Sequence, residues 1–162
     1  MSIVRSSLLF TLLLASHWTQ AAEVLTQDSV KGVMQSIFTN VTKKDAESVV
    51  KNFTKDAQVT LDLPERLGGR IEMNIERYQA MLNQTFAITS SYESEVHNTK
   101  IDISSDQRTA TVTEEVHEKI LTNGITIVST TAQKASIVMD AGKPKVKKLY
   151  GHVKVAPPVP AG

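Results

Sequence analysis

The sequence of 162 residues contains no cysteine and only 5% aromatic residues. The absence of cysteine excludes the disulfide bonds on which small domains of oxidising compartments often depend. It also excludes a cysteine nucleophile and a thiolate metal site. The fold must therefore be stabilised by its hydrophobic core, and about 140 residues can bury enough apolar surface for that.

The net charge is also small, because 18 basic residues nearly balance 17 acidic ones. A protein whose main partner is nucleic acid needs a strongly basic surface, so this balance argues against nucleic acid as a partner. A permanent membrane anchor is not expected either, since the apolar run from Leu8 to Ala15 is too short to span a bilayer.

The first residues have the pattern of a cleaved targeting segment. Arg5 precedes the apolar run, and Thr19-Gln20-Ala21 provides a cleavage site. We therefore predict a signal peptide at residues 1–21, a single domain at residues 22–155 and a proline-rich tail at residues 156–162. The protein is then expected to be periplasmic or secreted.

The kind of organism stays open between two alternatives. A Gram-negative periplasm fits a cysteine-free chain with a signal peptide. In a secreted eukaryotic protein, the triplets that begin at Asn40, Asn52 and Asn83 would instead be glycosylation acceptors. Three such triplets also arise by chance in a chain rich in threonine and asparagine.

Hydrophobic periodicity predicts helices early in the chain and strands late. Apolar residues recur at helical spacing after Asp28, Asp45 and Asn74, which we expect to be N-caps, and the second helix includes Phe53. The predicted strands are Gln58–Leu63, Arg70–Met73, Tyr92–Ile103, the two arms of the hairpin Thr109–Asp140, and Val146–Val155. This order of elements indicates an α+β fold.

The hairpin turns at Asn123-Gly124, because both residues tolerate the positive φ of a type I′ turn. A turn at this pair sets the register of both strands, and alternation places the paired residues on one face. The predicted pairs are Ile120–Ile127, Glu118–Ser129, Val116–Thr131, Glu114–Gln133, Val112–Ala135 and Ala110–Ile137. This face is apolar at both ends and polar in the middle, so it either lines a pocket or is not the core face.

The strand before the hairpin changes parity along its length. Tyr92 and Val96 share one side, whereas Ile101 and Ile103 fall on the other. A β-bulge near Asn98-Thr99-Lys100 would bring all four apolar residues to one face and bend the strand.

His97 and His117 lie on neighbouring strands of this prediction. If Ile103 pairs with Ala110, then His97 lies opposite Val116, although the bulge leaves the face of His97 open. No pair of histidines has the spacing of a metal site, so we expect neither a metal nor another cofactor.

Four segments together resemble the nuclear-transport-factor-2-like superfamily, which includes ketosteroid isomerases and SnoaL-like polyketide cyclases. They are Lys44-Asp45-Ala46-Glu47, Phe53-Thr54-Lys55-Asp56-Ala57-Gln58-Val59, Ile75–Phe86 and Gly142-Lys143-Pro144-Lys145-Val146. The resemblance covers Asp28 to Val155. It implies a cystatin-like cone in which three N-terminal helices pack on a curved antiparallel sheet, with a pocket at the open end.

The resemblance also implies a homodimer, since members of the superfamily often pair through the exposed face of the sheet. Here that face carries Thr113, Val128, Thr130 and Ala132. Other members bind a small molecule or catalyse a reaction in the pocket, and the fold alone does not choose among these functions.

Glu114 and Glu118 are the candidate catalytic residues. Burial inside a cone raises the pKa of a carboxyl group and suits it to general acid or base work near neutral pH. Alternatively, this part of the strand lies at the mouth of the pocket, where glutamates are solvated or pair with lysines. The predicted ligand-binding residues are Glu114, Glu118, Gln133, Ser129, Tyr78 and His97.

Two known chemistries of the superfamily are not expected. A ketosteroid isomerase needs a tyrosine on the first helix, and no tyrosine precedes Tyr78. Asp56 is more plausibly a residue of the helix–strand junction than a base. The Asp-Arg-Asp network of limonene epoxide hydrolases is not expected from Asp62 and Arg70, because Asp62 has outward parity.

These observations favour a periplasmic domain that binds a small apolar or amphipathic ligand in its cone, or that acts as a dimeric interaction module. The alternative is a SnoaL-like lyase, isomerase or hydrolase that uses a pocket glutamate, Glu114 or Glu118, as its general base. Whether the protein is an enzyme stays open at this point.

Overall fold

The computed structural model describes residues 24–157 and 159–160. In this part of the chain no helix is long and apolar enough to cross a membrane. The predicted signal peptide lies outside the described residues, as do residues 158, 161 and 162 of the predicted tail. The elements are α1 Gln27–Thr42, α2 Ala46–Val50, β1 Phe53–Asp62, a 3-10 helix Glu65–Leu67, β2 Arg70–Asn74, α3 Ile75–Ile88, β3 Thr89–Ile103, β4 Thr109–Thr122, β5 Ile125–Asp140, β6 Lys143–Val155 and β7 Val159–Pro160.

The strands form one mixed sheet in the order β2-β1-β6-β5-β4-β3, and β7 pairs with the start of β5. All neighbouring strands are antiparallel except β1 and β6, which run parallel. The prediction of an antiparallel sheet is therefore wrong at this pair. Strands joined by a short turn are antiparallel, but β1 lies beside β6, which is distant in sequence and is not constrained in this way. The helices are also not all N-terminal, since α3 follows β2.

The helices begin at side-chain caps. The Thr26 hydroxyl accepts a hydrogen bond from the Ser29 backbone N–H at 3.1 Å, and the Thr26 backbone N–H donates to Ser29 Oγ at 2.9 Å. This capping box corrects the predicted cap at Asp28, because the N-cap is Thr26 and the helix begins at Gln27, two residues earlier than a cap at Asp28 would place it. The predicted caps Asp45 and Asn74 are confirmed, and each accepts a backbone N–H at 3.0 Å.

β1 is longer than predicted. It begins at Phe53, which the sequence placed on the second helix, and α2 already ends at Val50. The pairing of β1 with β6 shifts register between Phe53 and Gln58. This irregularity breaks the alternation of apolar and polar residues, so the first half of the strand has no strand-like pattern in the sequence.

The hairpin has the predicted turn and register. Asn123 and Gly124 have φ values of 49° and 71°, as a type I′ turn requires. All six predicted pairs are present between β4 and β5, from Ile120–Ile127 near the turn to Ala110–Ile137 at the far end.

The predicted bulge in β3 is confirmed. Asn98 has a φ of 56°, and the register of β3 on β4 shifts by one residue between His97 and Lys100. The extra residue brings Tyr92 and Ile101 to the same face of the sheet despite their different parity.

The hydrophobic core fills one end of the space between the sheet and the helices. Val112, Ala135, Ile137 and Val146 form its sheet side and are completely buried. Val30 of α1 is equally buried on the helix side. Because β4 and β5 run beyond this core with the same alternation, the residues that follow Val112 on its face line the space beyond the core.

The outer face of the sheet carries Val128, which is 45% exposed. Dimerisation through this face stays a prediction. Light scattering at micromolar concentration is expected to give the mass of a dimer, and Val128→Lys is expected to give that of a monomer, because a charge would be buried without a partner. A monomeric wild-type protein would contradict the prediction.

Candidate functional site

A cavity of about 220 Å³ lies between the sheet and helices α1 and α3. Its lining is mainly apolar: α1 contributes Ile37 and Phe38, α3 contributes Phe86, and β4 contributes Val116 and Ile120. The two helices each have an apolar stripe, and the sheet has an apolar inner face. These apolar surfaces continue past the core and enclose a space there.

Glu118 is held on the cavity wall by two hydroxyl groups. The Tyr92 hydroxyl donates to Glu118 Oε1, and Ser129 Oγ donates to Oε2 at 3.1 Å. Tyr92 comes from β3 and Ser129 from β5, so both neighbours of β4 contribute a donor. These two hydrogen bonds fix the orientation of the Glu118 side chain in the wall of the cavity.

Glu114 lies four residues deeper on the same face, about 13 Å from Glu118 along the strand. The Gln133 side-chain amide, which faces Glu114 across the hairpin, donates to Glu114 Oε1. Burial raises the pKa of Glu114, and hydrogen bonds from Gln133 and Thr99 offset part of this effect. Glu114 thus takes up a proton more readily than an exposed glutamate.

Two tyrosines contribute hydroxyl groups to the cavity. Tyr78 of α3 is 7% exposed, and burial together with the nearby charge of Glu118 raises its pKa. Burial, the charge of Glu118 and the hydrogen bond to Glu118 raise the pKa of Tyr92 in the same way. Both phenols therefore stay protonated and act as neutral hydrogen-bonding groups.

Five of the six predicted ligand-binding residues come together. Glu114, Glu118, Gln133 and Tyr78 line the cavity, and Ser129 is buried behind Glu118, to which it donates. The carboxylates lie in the wall and are only partly accessible, which disagrees with the alternative in which they are solvated at the mouth of the pocket.

His97 lies elsewhere, and its predicted place in the pocket is wrong. It pairs with Glu115 rather than with Val116, because the bulge after it adds one residue to β3. Its ring is on the outer face of the sheet, 4.7 Å from the ring of His117, and its Nε2 is 3.3 Å from Glu95 Oε2.

The two other carboxylates considered from the sequence lie outside the cavity lining. Asp56 is exposed and accepts hydrogen bonds from Lys147 and, at 3.0 Å, from the Thr54 hydroxyl. Asp62 Oδ2 lies 2.9 Å from His152 Nδ1 on the outer face. Lys147 lowers the pKa of Asp56 and His152 lowers that of Asp62, so both carboxylates are paired surface groups.

Tyr92 is the site residue that sequence reasoning missed. Without the bulge it would face Leu121, whereas the bulge places it opposite Ile120, on the cavity side. The parity change of β3 was visible in the sequence. Combined with the register of the β3–β4 turn, it was the signal that could have brought Tyr92 beside Glu118.

Replacing Glu114 by glutamine tests its environment. Because the pKa of Glu114 is higher in the folded than in the unfolded protein, its contribution to stability is complete below its usual value of 4.5 and is lost as pH rises through the raised pKa. Glutamine does not titrate. The melting temperature of Glu114→Gln minus that of the wild type is therefore expected to increase from acid to neutral pH, and a difference that is constant with pH would contradict this.

Comparison with known proteins relates the chain to others by structure only. No protein-family model matches it, and no curated protein matches it. A nuclear-transport-factor-2-like protein from Cytophaga hutchinsonii is similar to it with a TM-score of 0.63 and 17% identity, over 80% of this chain and 100% of that chain.

Two further similar structures are named as enzymes. A proposed scytalone dehydratase from Novosphingobium aromaticivorans has a TM-score of 0.63 at 13% identity, over 83% of this chain and 87% of that chain. A hexachlorocyclohexane dehydrochlorinase of type 2 has a TM-score of 0.61 at 12% identity, over 82% of this chain and 88% of that chain. Likeness at such low identity establishes architecture and not activity. The resemblance found in the sequence is thus confirmed in structure, and this chain has the nuclear-transport-factor-2-like fold.

Proposed function

We propose that the protein binds a small amphipathic ligand in the cavity between the sheet and helices α1 and α3. One observation carries the proposal: the cavity is apolar, and Glu114, Glu118 and Gln133 project into it from a single face of the β4–β5 hairpin. A mostly apolar lining with a few placed polar groups is typical of ligand sites.

The size of the cavity limits the ligand. About 220 Å³ is below the range of about 300–1,000 Å³ that is usual for pockets of drug-sized ligands. A short alkyl chain or a single ring fits this space, with its polar end on the carboxylate side. A complete long-chain lipid does not fit inside it.

We propose that binding occurs in the periplasm or outside the cell, which the targeting pattern of residues 1–21 supports. If so, mass spectrometry of the protein from an expressing bacterium should give a mature chain that begins at Ala22 or Glu23. A chain that retains Arg5 would contradict this location.

Ligand binding is tested by native mass spectrometry of the purified protein together with a thermal-shift screen of small amphipathic molecules. A ligand that binds the folded state raises the melting temperature in proportion to the logarithm of its concentration above Kd. We expect either a bound small molecule or a saturable shift. If no molecule co-purifies with the protein and no compound of the screen shifts its melting temperature, the proposal is wrong.

The alternative function is catalysis with Glu114 as general base. It is favoured by the raised pKa of this buried carboxyl group and by the similarity to the proposed dehydratase and the dehydrochlorinase. Glu114 and Glu118 are too far apart along β4 to share one proton, so each would act alone. Gln133 would hold Glu114, and the Tyr78 hydroxyl is the donor in the cavity available to a substrate oxygen.

Proton abstraction is tested by incubating the molecules that bind with the protein in D₂O. Deuterium incorporation at an acidic C–H, measured by NMR, is expected for an enzyme of this kind. The rate of deuterium exchange with Glu114→Gln should then be at least about 100-fold lower than with the wild type, since a general base typically contributes that much. Exchange that survives in Glu114→Gln would exclude Glu114 from the mechanism.

A further inference from the structure

We propose that the cavity selects ligands with a cationic amine head over ligands with a carboxylate head. This inference rests on the proposed ligand-binding function and names the chemical class of the ligand. The charged residues among the described lining residues are Glu114 and Glu118, and that lining includes no lysine, arginine or histidine. The charge on the wall is therefore of one sign.

Glu118 has free acceptor sites for the hydrogen-bond donors of a cation. A carboxylate offers about four lone-pair sites, and Tyr92 and Ser129 use one site on each oxygen. Each oxygen thus keeps a further site for a donor from a ligand. The two hydroxyl groups also fix the orientation of the carboxylate, so binding requires little further ordering of the side chain.

Tyr78 supplies an independent indication that a polar ligand group belongs in this cavity. Its side chain is 93% buried and lines the cavity, yet its hydroxyl has no hydrogen-bond partner among residues 24–157. It lies close enough to Glu118 to be affected by its charge. The Tyr78 oxygen is not one of the fully buried unpartnered polar atoms of the described residues, so it is open to the cavity it lines, and a ligand group placed between Tyr78 and Glu118 would hydrogen-bond to both.

An ammonium group fits this arrangement better than the alternatives. It carries three donors and no acceptor, so carboxylate and phenol oxygens together match it. Tyr78, Tyr92 and Phe86 belong to the same lining, and an ammonium group that lies over the face of such a ring gains cation–π attraction. A neutral hydroxyl has one donor for the same acceptors, and a carboxylate meets two like charges without a compensating cation.

The test compares three molecules with the same tail: hexylamine, 1-hexanol and sodium hexanoate. Isothermal titration at about pH 7.5, where the amine is protonated and the acid ionised, gives the three affinities. We expect hexylamine to bind about tenfold to hundredfold more tightly than hexanoate, with hexanol in between. Hexanol or hexanoate binding as tightly as hexylamine would overturn this inference and leave the ligand-binding function intact. No binding of any of the three would overturn both.

Variants locate the selectivity. Glu118→Gln is expected to reduce the preference for hexylamine over hexanol by about tenfold while hexanol still binds. Glu115→Gln is the matched control, because this glutamate lies on the outer face of the same strand, and it should keep the wild-type preference. If Glu118→Gln fails to fold, Tyr78→Phe replaces it and is expected to weaken hexylamine more than hexanol. An unchanged preference in a folded variant at the site would contradict the inference.

Discussion

Replacing Ile137 by alanine is expected to lower the free energy of unfolding by about 2–5 kcal/mol. Ile137 is 0% exposed and lies on the inner face of β5, at the closed end of the fold. Truncation removes buried methylene groups and leaves a void that the surrounding β-strands cannot collapse to fill. Urea denaturation followed by circular dichroism gives the difference in unfolding free energy.

Ile125 provides the matched control for this substitution. It lies at the start of the same strand but is 44% exposed, so Ile125→Ala is expected to cost less than about 1 kcal/mol. Equal losses for both variants would mean that Ile137 is no more buried than Ile125, and that the core does not lie at the far end of β5.

Replacing Val116 by tryptophan is expected to weaken the binding of hexylamine and hexanol by at least about 100-fold, which corresponds to about 2.8 kcal/mol. Val116 lies between Glu114 and Glu118 on the cavity face of β4, and it is paired with Thr131. An indole ring at this position occupies the space that the tail of a ligand needs. The cavity gives the ring room, so the cost in stability should stay within the roughly 1–3 kcal/mol of an overpacked site.

His117→Trp separates occlusion of the cavity from a general effect of an added indole. His117 follows Val116 on the exposed outer face. The affinity of His117→Trp for both molecules should therefore remain within about twofold of the wild type, since a surface substitution away from the site has little effect. If the two tryptophan variants lose affinity to the same extent, binding does not occur in the cavity.

The part of the site that lies on the hairpin could be predicted because it depends on local chemistry. Asn123-Gly124 determines the turn type, the turn determines the register, and alternation then determines which residues share a face. These three steps were sufficient to pair Glu114 with Gln133 and Glu118 with Ser129. No distant part of the chain takes part in them.

The part of the site on β3 was harder to predict because a single extra residue reverses the face of everything beyond it. The sequence predicts the bulge at Asn98, but the bulge also shifts the pairing of every residue before it, which reverses the faces of His97 and Tyr92. His97 therefore lies on the outer face, contrary to the prediction, and Tyr92 lies in the cavity, where it donates to Glu118.

Long-range pairing accounts for the remaining differences. The parallel contact of β1 with β6 joins segments about 90 residues apart, such as Val59 and Leu149, and no turn residue signals it. The enclosure of the cavity by α1 and α3 depends on the same long-range packing. Sequence patterns indicated which faces of these helices are apolar, but not how much space they leave above the sheet.

The most direct measurement of ligand binding in the cavity is a methyl NMR titration of the labelled protein with hexylamine. We predict saturable shifts of the methyl signals of Val116, Ile120 and Leu149, which line the cavity, and no shifts for the exposed Ile125 and Val128. Shifts confined to the exposed methyl groups, or no saturable shift at all, would contradict ligand binding in the cavity.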